Sequence, residues 1–348
     1  MEKYIIGWDI GGAHVKAACL NPAAEVLHVT QLACPLWKGI GYLHSAVASY
    51  LLTLPAGSYS HFITMTGELA DCFNSRVEGV DTIIRVMQQH LSQQQIWIYA
   101  SQFGFLSPAE IQPSHYMAIA SVNWLASAEL AAKACQFGLF VDTGSTTTDI
   151  VLIENQQLQV KGYSDYQRLV SGELLYTGVI RSAVMAVAQQ AEFNGQNMGL
   201  MTEYFATMAD VYRVCGDLDE AHDQADTADG AEKTLQASAR RLSRLTGYEF
   251  SQSDWPLWQA FALTLKNRQK QLIWQSCAQQ LQRSSQTGVA ELCGAGVGRF
   301  LLQEIAAEQG LIYRDFNQLF KSPALSAQID AGDCAPAVAV AYLGGQFC

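Results

Sequence analysis

One short pattern occurs twice in this chain, and the duplication restricts its fold more than any other feature. The first copy runs Tyr4-Ile5-Ile6-Gly7-Trp8-Asp9-Ile10-Gly11-Gly12-Ala13-His14-Val15-Lys16. The second runs Gly138-Leu139-Phe140-Val141-Asp142-Thr143-Gly144-Ser145-Thr146-Thr147-Thr148-Asp149. Each is an apolar strand ending in Asp, then a small turn rich in Gly, Ser or Thr, then a second apolar strand. Glycine permits the tight turn and lets phosphate oxygens reach bare backbone N–H groups. An Asp at the strand end can hold Mg²⁺, directly or through water. Asp-x-Gly is also ordinary turn chemistry. One copy would carry little; two in matched surroundings predict a pair of hairpins facing each other across a phosphate–metal unit.

The copies differ at one informative position. Lys16 follows Asp9 by seven residues, and Asp149 follows Asp142 by the same interval. Superposed hairpins would offer a cation to a phosphate oxygen in one half and a second carboxylate to a metal in the other. The expected metal ligands are therefore Asp9, Asp142 and Asp149. The expected phosphate contacts are Gly11, Gly12 and His14 in the first turn and Gly144, Ser145, Thr146 and Thr147 in the second.

A chain of 348 residues has room for about two domains. Hydrophobic residues make up 49% and charged ones 15%, so a large core is expected and disorder is not. With 21 basic against 32 acidic residues the net charge is −11, which argues against a nucleic-acid or anionic-membrane partner. Nine cysteines lie mostly in apolar runs with no Cys-x-x-Cys pair, as reduced thiols of a cytoplasmic protein would. No signal peptide and no bilayer-spanning run are expected.

Periodicity predicts strands over 4–10, 15–20 and 25–32, a helix over 40–54, and strands leading into Thr66-Gly67-Glu68 and over 96–100. A small-residue helix is expected over 116–135. The plan repeats with strands over 139–142, 148–154 and 158–164 and a helix over 171–191 opened by Ser171-Gly172-Glu173. Residues 200–285 read as almost wholly helical apart from an acidic loop at 216–230. A strand, the loop Gly294-Ala295-Gly296-Val297-Gly298 and a helix follow, and an apolar helix over 335–347 should pack back on the first domain. The expected domains are 1–135 plus 333–348, and 136–332 with a helical insertion at about 180–285.

Open α/β sheets bind ligands at the carboxyl ends of their strands. Five loops end strands in this way, including Thr66–Glu68, Ser101–Gly104 and Gly294–Gly298, and are expected to converge on one cleft. Gly294 and Gly296 join the phosphate-binding candidates. A dinucleotide fingerprint there lacks the acidic partner in a following βαβ unit. Glu203, Thr207 and Asp210 stand at i, i+4 and i+7, which predicts one polar helix face suited to a cleft wall. Arg181 and Asp229 complete the cleft candidates. The acidic loop departs from calcium-loop spacing and reads as solvated.

At Asp9–Lys16, Val141–Asp149, Ser171–Arg181, Glu203–Arg213 and Thr227–Gly230, the chain resembles the tetrahydromethanopterin-linked one-carbon-transfer pathway proteins. This methanofuran synthase-like family is a branch of the hydantoinase/oxoprolinase-like group in the actin-like ATPase superfamily. The resemblance implies an α/β fold of two duplicated actin-like, ribonuclease H-like domains. It implies a cytoplasmic transferase of methanofuran-type cofactor biosynthesis. Such an enzyme joins an (aminomethyl)furfuryl diphosphate to the phenol oxygen of a tyramine- or tyrosine-like acceptor and releases diphosphate. Mg²⁺ with Lys16 would then answer the charge on the leaving group, and Glu173 or Glu68 would take the phenol proton. The first turn carries Ala13-His14-Val15-Lys16 where many ATPases of this superfamily have Ser and Thr, which argues against ATP hydrolysis. The rival readings are an ATP-dependent small-molecule kinase or amidohydrolase, and a non-catalytic actin-like switch. Oligomeric state stays open, with a homodimer as the expectation.

Overall fold

The computed structural model describes residues 3–92, 94–321 and 329–347. They form two compact units, one drawn from Met1–Gln136, Ile153–Gln167 and Asp315–Cys348, the other from Phe137–Leu152 and Arg168–Arg314. No helix among the described residues is long and apolar enough to cross a membrane.

The first unit opens with an antiparallel meander, β1 (Lys3–Ile10), β2 (His14–Leu20) and β3 (Val26–Ala33). Helix α1 (Gly41–Leu51), β4 (Ser58–Met65), α2 (Arg76–His90), β5 (Gln95–Tyr99) and β6 (Phe105–Leu106) follow. The sheet order is β3-β2-β1-β4-β5-β6, with β4 parallel to β1 and β5 parallel to β4. Three strands therefore deliver their carboxyl ends to one edge. This is the expected ribonuclease H-like arrangement. Alternation in β1 sends Ile6, Trp8 and Ile10 to a core that includes Leu43 and Val47 of α1 and Ile83 and Met87 of α2. Asp9 and Lys16, cross-strand partners in the β1–β2 register, share the opposite face. The helix expected over 116–135 is broken into α3 (Tyr116–Ile119) and α4 (Asn123–Ala132). The break is Ser121, whose φ of 54° is left-handed and cannot continue a helix.

The second unit contains β7 (Phe137–Thr143) and β8 (Thr148–Glu154) as far as Leu152; the last residues of β8 pair with the short β9 (Gln157–Leu158) within the segment Ile153–Gln167, which belongs to the first unit. The strand expected over 158–164 is thus reduced to a stub. Helix α5 (Asp165–Ser171) starts in the first unit and passes into the second at Arg168, where β10 (Leu174–Leu175), α6 (Val184–Val187), β11 (Gln190–Phe193) and β12 (Gln196–Gly199) follow. Helices α7 (Met208–Cys215), α8 (Leu235–Arg244) and α9 (Trp255–Leu281) precede β13 (Glu291–Ala295), α10 (Arg299–Gln309) and β14 (Ile312–Asp315). The sheet runs β10-β8-β7-β13-β14, with β13 parallel to β7 so that Ala295 stands beside Asp142.

Residues 171–191 do not form the expected helix. The amides of Val179 and Arg181 donate to the carbonyls of Gly144 and Ser145, at 3.0 and 2.8 Å, and this pins the segment to the second hairpin turn. Beyond it Asn194 and Gly195, with φ of 52° and 73°, turn the β11–β12 hairpin. Asn-Gly is the favoured pair for such a turn. Within 200–285 the α-helices cover only Met208–Cys215, Leu235–Arg244 and Trp255–Leu281, less than expected.

The last helix, α11 (Ala335–Phe347), belongs to the first unit and lies against β1, β2, β4 and α4. Its seat is made by small residues. A methyl group at Gly7 would overlap the Ala337 carbonyl, and one at Gly344 would overlap the Phe62 ring. The described cysteines carry free thiols, six buried and two half-buried.

Candidate functional site

In the first unit the β1–β2 turn is closed by the Gly11 amide donating to the His14 carbonyl at 2.9 Å. A Cβ at Gly12 would meet nothing within 4 Å, so the tip of the turn has room above it. Among the described residues, the amides of Gly12 and Ala13 donate to no protein acceptor. Two successive amides of this kind form an anion-binding concavity. Asp9 is buried, and its Oδ1 accepts from Asn123 Nδ2 at 3.2 Å. Lys16, half-buried, donates from Nζ to the Asp333 carbonyl just before α11, at 2.7 Å. His14 is half-buried at the start of β2.

The turn after β4 rests directly on this hairpin. A Cβ at Gly67 would lie 3.1 Å from the Gly11 carbonyl oxygen, a tight contact that shows how closely the two turns approach. Glu68 is 1% exposed. Its Oε1 accepts from Ser121 Oγ at 2.6 Å, with Arg76 Nε 3.9 Å away. Its Oε2 is buried and has no hydrogen-bond partner among the described residues. Burial raises the carboxyl above the ordinary glutamate range, against the opposing pull of the Ser121 hydrogen bond and Arg76.

In the second unit the Gly144 amide closes the turn on the Thr147 carbonyl at 2.9 Å. The amides of Ser145, Thr146 and Thr147 donate to no protein acceptor among the described residues, which again makes an anion concavity. Gly178 abuts the Thr146 amide so tightly that a methyl group there would overlap it. Asp142 is half-buried at the end of β7. Gly296, with φ of 82°, packs on its carboxylate, and the Gly298 amide donates to the Thr143 carbonyl at 2.8 Å. Arg181 is half-buried beside this turn through its own backbone contact.

Several residues singled out from sequence do other work. Gly294 is not in a loop: it is a buried β13 residue opposite Val141, with Tyr313 against it. Ser171 ends α5 instead of opening a helix, so no helix N-terminus forms at Glu173. Both oxygens of Glu173 are engaged, by Arg283 at 3.1 Å and by Ser171 at 2.9 Å. Asp149 is ion-paired with buried Arg168 at 2.6 Å. Helix α7 begins only after Thr207, so the three-residue polar face does not exist. Glu203 lies in an exposed bend, and Thr207 and Asp210 form a capping box. Asp210, 1% exposed, also accepts from Ser238 and Arg241, both at 2.8 Å. Asp229 pairs with Arg241 at 3.1 Å. Burial would raise its carboxyl, but the Ala231 amide and Arg241 hold it below the ordinary range. The acidic loop is likewise answered by protein cations, Glu220 by Arg213 and Asp217 by Lys266.

The strand-end loops therefore gather unit by unit: Asp9–His14, Thr66–Glu68 and Ser101–Gly104 on one sheet edge, and Asp142–Thr147 and Gly296–Gly298 on another. Sequence reasoning read Ser121 and Asn123 only as small packing residues of a helix and gave Arg168 and Gly178 no role in the site. Nothing local in the chain announces them, since each acts on a partner distant in sequence.

Among the described residues, no group of three or more His, Cys, Asp or Glu side chains gathers as a metal site. That is compatible with Mg²⁺, which is commonly held by one or two carboxylates plus water and substrate phosphate. Of the carboxylates in the second hairpin, Asp142 is half-buried at the strand end and Asp149 is ion-paired with Arg168.

The family model described as hydantoinase/oxoprolinase matches residues 61–325. The (4-{4-[2-(gamma-L-glutamylamino)ethyl]phenoxymethyl}furan-2-yl)methanamine synthase of Methanocaldococcus jannaschii is 30% identical over 246 residues, covering 70% of this chain and 72% of that protein. The synthase of the same name from Methanococcus vannielii is 31% identical over 114 residues, covering 33% of this chain and 51% of that protein. A nucleotide-free structure of acetone carboxylase superposes with a TM-score of 0.52 at 9% identity, covering 98% of this chain and 70% of that one, a likeness of fold alone.

Proposed function

Because the chain belongs to the hydantoinase/oxoprolinase family and to its branch of furan-methanamine synthases, we propose that it is a transferase that makes an aryl furfuryl ether from a furfuryl diphosphate. The product named in its relatives' description is a phenoxymethyl furan carrying an aminomethyl group and a glutamylated aminoethyl arm. Such a product is the expected result of joining a tyramine-like phenol to an (aminomethyl)furfuryl carbon. In the proposed step the bond from that carbon to the diphosphate oxygen breaks, and its electron pair leaves with diphosphate. The phenol oxygen forms the new C–O bond, and its proton passes to a carboxylate.

The observation that carries this reading is that two amide runs, Gly12–Ala13 and Ser145–Thr147, each following a strand-end Asp, donate to no protein acceptor among the described residues. They suit phosphate oxygens, on which negative charge grows as the leaving group departs. Lys16, the cross-strand partner of Asp9, would add a cation on that hairpin. Mg²⁺ held at Asp142 of the second unit would neutralise diphosphate when bound. Of the two carboxylates proposed as the base, Glu68 fits better. Its Oε2 has no hydrogen-bond partner among the described residues and burial makes it more basic, whereas both oxygens of Glu173 are taken. The family's substrates would be small molecules, a diphosphate ester and a phenol.

A melting experiment in Mg²⁺ tests the leaving-group assignment. Tight binding raises stability by mass action, about 2.7 kcal/mol at a hundredfold excess over Kd. Pyrophosphate should raise the melting temperature strongly and ATP little; the reverse ranking would favour an ATP-dependent kinase or amidohydrolase.

A further inference from the structure

The break between α3 and α4 places two polar side chains on two carboxylates. Ser121 Oγ donates to Glu68 Oε1 at 2.6 Å, and Asn123 Nδ2 donates to Asp9 Oδ1 at 3.2 Å. Ser121 takes a left-handed backbone, φ 54°, a conformation unfavourable for a residue with a side chain. The turn is fixed on both sides. The Trp124 indole donates to the Ser121 carbonyl at 2.9 Å, and Asn123 Oδ1 accepts the Trp124 amide at 2.7 Å. A left-handed serine that is buried and committed to a buried carboxylate is the type of local strain found where a site is pre-organised.

We propose that the turn Ser121–Asn123 is a positioning element that fixes Glu68 and Asp9 against the first hairpin, the serine hydroxyl engaging one oxygen of Glu68 and the asparagine amide one oxygen of Asp9. Its catalytic meaning rests on the reading of Glu68 as the proton acceptor given above. Neither Ser121 nor Asn123 contacts substrate in this scheme; both act through the carboxylates. Ser121 satisfies Oε1 and leaves Oε2 as the remaining acceptor. The other charged groups facing Glu68 are Arg76 from α2 and, paired with it at 2.8 Å, Asp165. Arg76 lies beyond hydrogen-bonding distance, so the serine is the carboxylate's short contact.

Ser121→Gly separates the hydroxyl from the backbone, because glycine adopts a positive φ at no cost. The full-length protein, labelled at glutamate side-chain carboxyl carbons, is titrated by NMR, with Glu68→Gln identifying the Glu68 resonance. The expected result is a Glu68 midpoint that moves to higher pH in Ser121→Gly, with an unchanged or higher melting temperature. Turnover should fall roughly tenfold, the worth of one hydrogen bond to a charged group, and the acid limb of its pH profile should move up in step. An unmoved Glu68 midpoint would overturn the positioning role, whatever happens to turnover. A midpoint that moves while turnover and its profile stay fixed would keep the positioning role and remove Glu68 from the chemistry.

Discussion

Gly296 lies against the Asp142 carboxylate so closely that a methyl group in its place would overlap Oδ1. It also holds a φ of 82°, which L side chains rarely adopt. The Gly-rich loop therefore acts as a backstop that sets where the strand-end carboxylate points. Gly296→Ala should displace Asp142 and cost about 1–3 kcal/mol of stability, from the crowding and the strained backbone. Pyrophosphate·Mg²⁺ affinity should fall with it. Gly310→Ala is the control: its φ of 69° is equally unfavourable, but nothing lies within 4 Å of the added methyl. It should lower the melting temperature and leave ligand affinity alone. Equal affinity losses in both variants would remove Gly296 from the site.

The two carboxylates of the second hairpin should respond oppositely to neutralisation. Asp142→Asn should keep the fold and lose most of the Mg²⁺-dependent pyrophosphate binding. Asp149→Asn removes the carboxylate charge paired with Arg168, which is 1% exposed. Breaking such a pair costs about 3–5 kcal/mol, while Mg²⁺ dependence should survive. Melting curves and calorimetric titration of each variant distinguish the two roles. Loss of Mg²⁺ dependence in a well-folded Asp149→Asn protein would return that residue to the metal site.

His61 predicts a specific acid sensitivity. It is 1% exposed, and its Nδ1 accepts from the Trp8 indole at 3.0 Å. Burial holds its pKa down at about 3, against 6.5 in the unfolded chain. Below pH 6.5 the unfolded chain takes up a proton that the folded one refuses. Stability contributed by this group is thus complete above pH 6.5 and is lost as pH falls toward 3. The loss amounts to about 1.4 kcal/mol per pH unit for one proton. Urea unfolding across that window should show a slope shallower by this amount in His61→Gln. Parallel slopes for the two proteins would contradict the buried neutral imidazole.

What the sequence disclosed and what it hid divide along physical lines. Both hairpins and the helix Ala335–Phe347 were legible because their signals are local: an apolar run, an Asp, a small turn, or a Pro-opened apolar stretch. The β11–β12 hairpin had a local signal too, Asn194-Gly195, but it was submerged in a stretch that otherwise reads as helical. Residues 171–191 could not be read correctly from their own pattern, because the amides of Val179 and Arg181 are claimed by carbonyls of the second hairpin turn. The spacing of Glu203, Thr207 and Asp210 suited a helix face, yet the helix starts after Thr207. Asp210 instead serves the capping box and Arg241. In the site, the strand-end Asp residues and the glycine turns were visible, and their second partners were not. Asn123 reaches Asp9 across 114 positions, and Ser121 reaches Glu68 across 53.

The transferase assignment is tested most directly by its product. The protein is incubated with Mg²⁺, an (aminomethyl)furfuryl diphosphate and a glutamylated tyramine, without nucleotide, and followed by mass spectrometry. The expected result is the aryl furfuryl ether with one pyrophosphate released per ether formed, and no ether from the furfuryl alcohol. An ether that forms only when ATP is added and consumed, or no ether at all from a folded protein that binds both substrates, would contradict it.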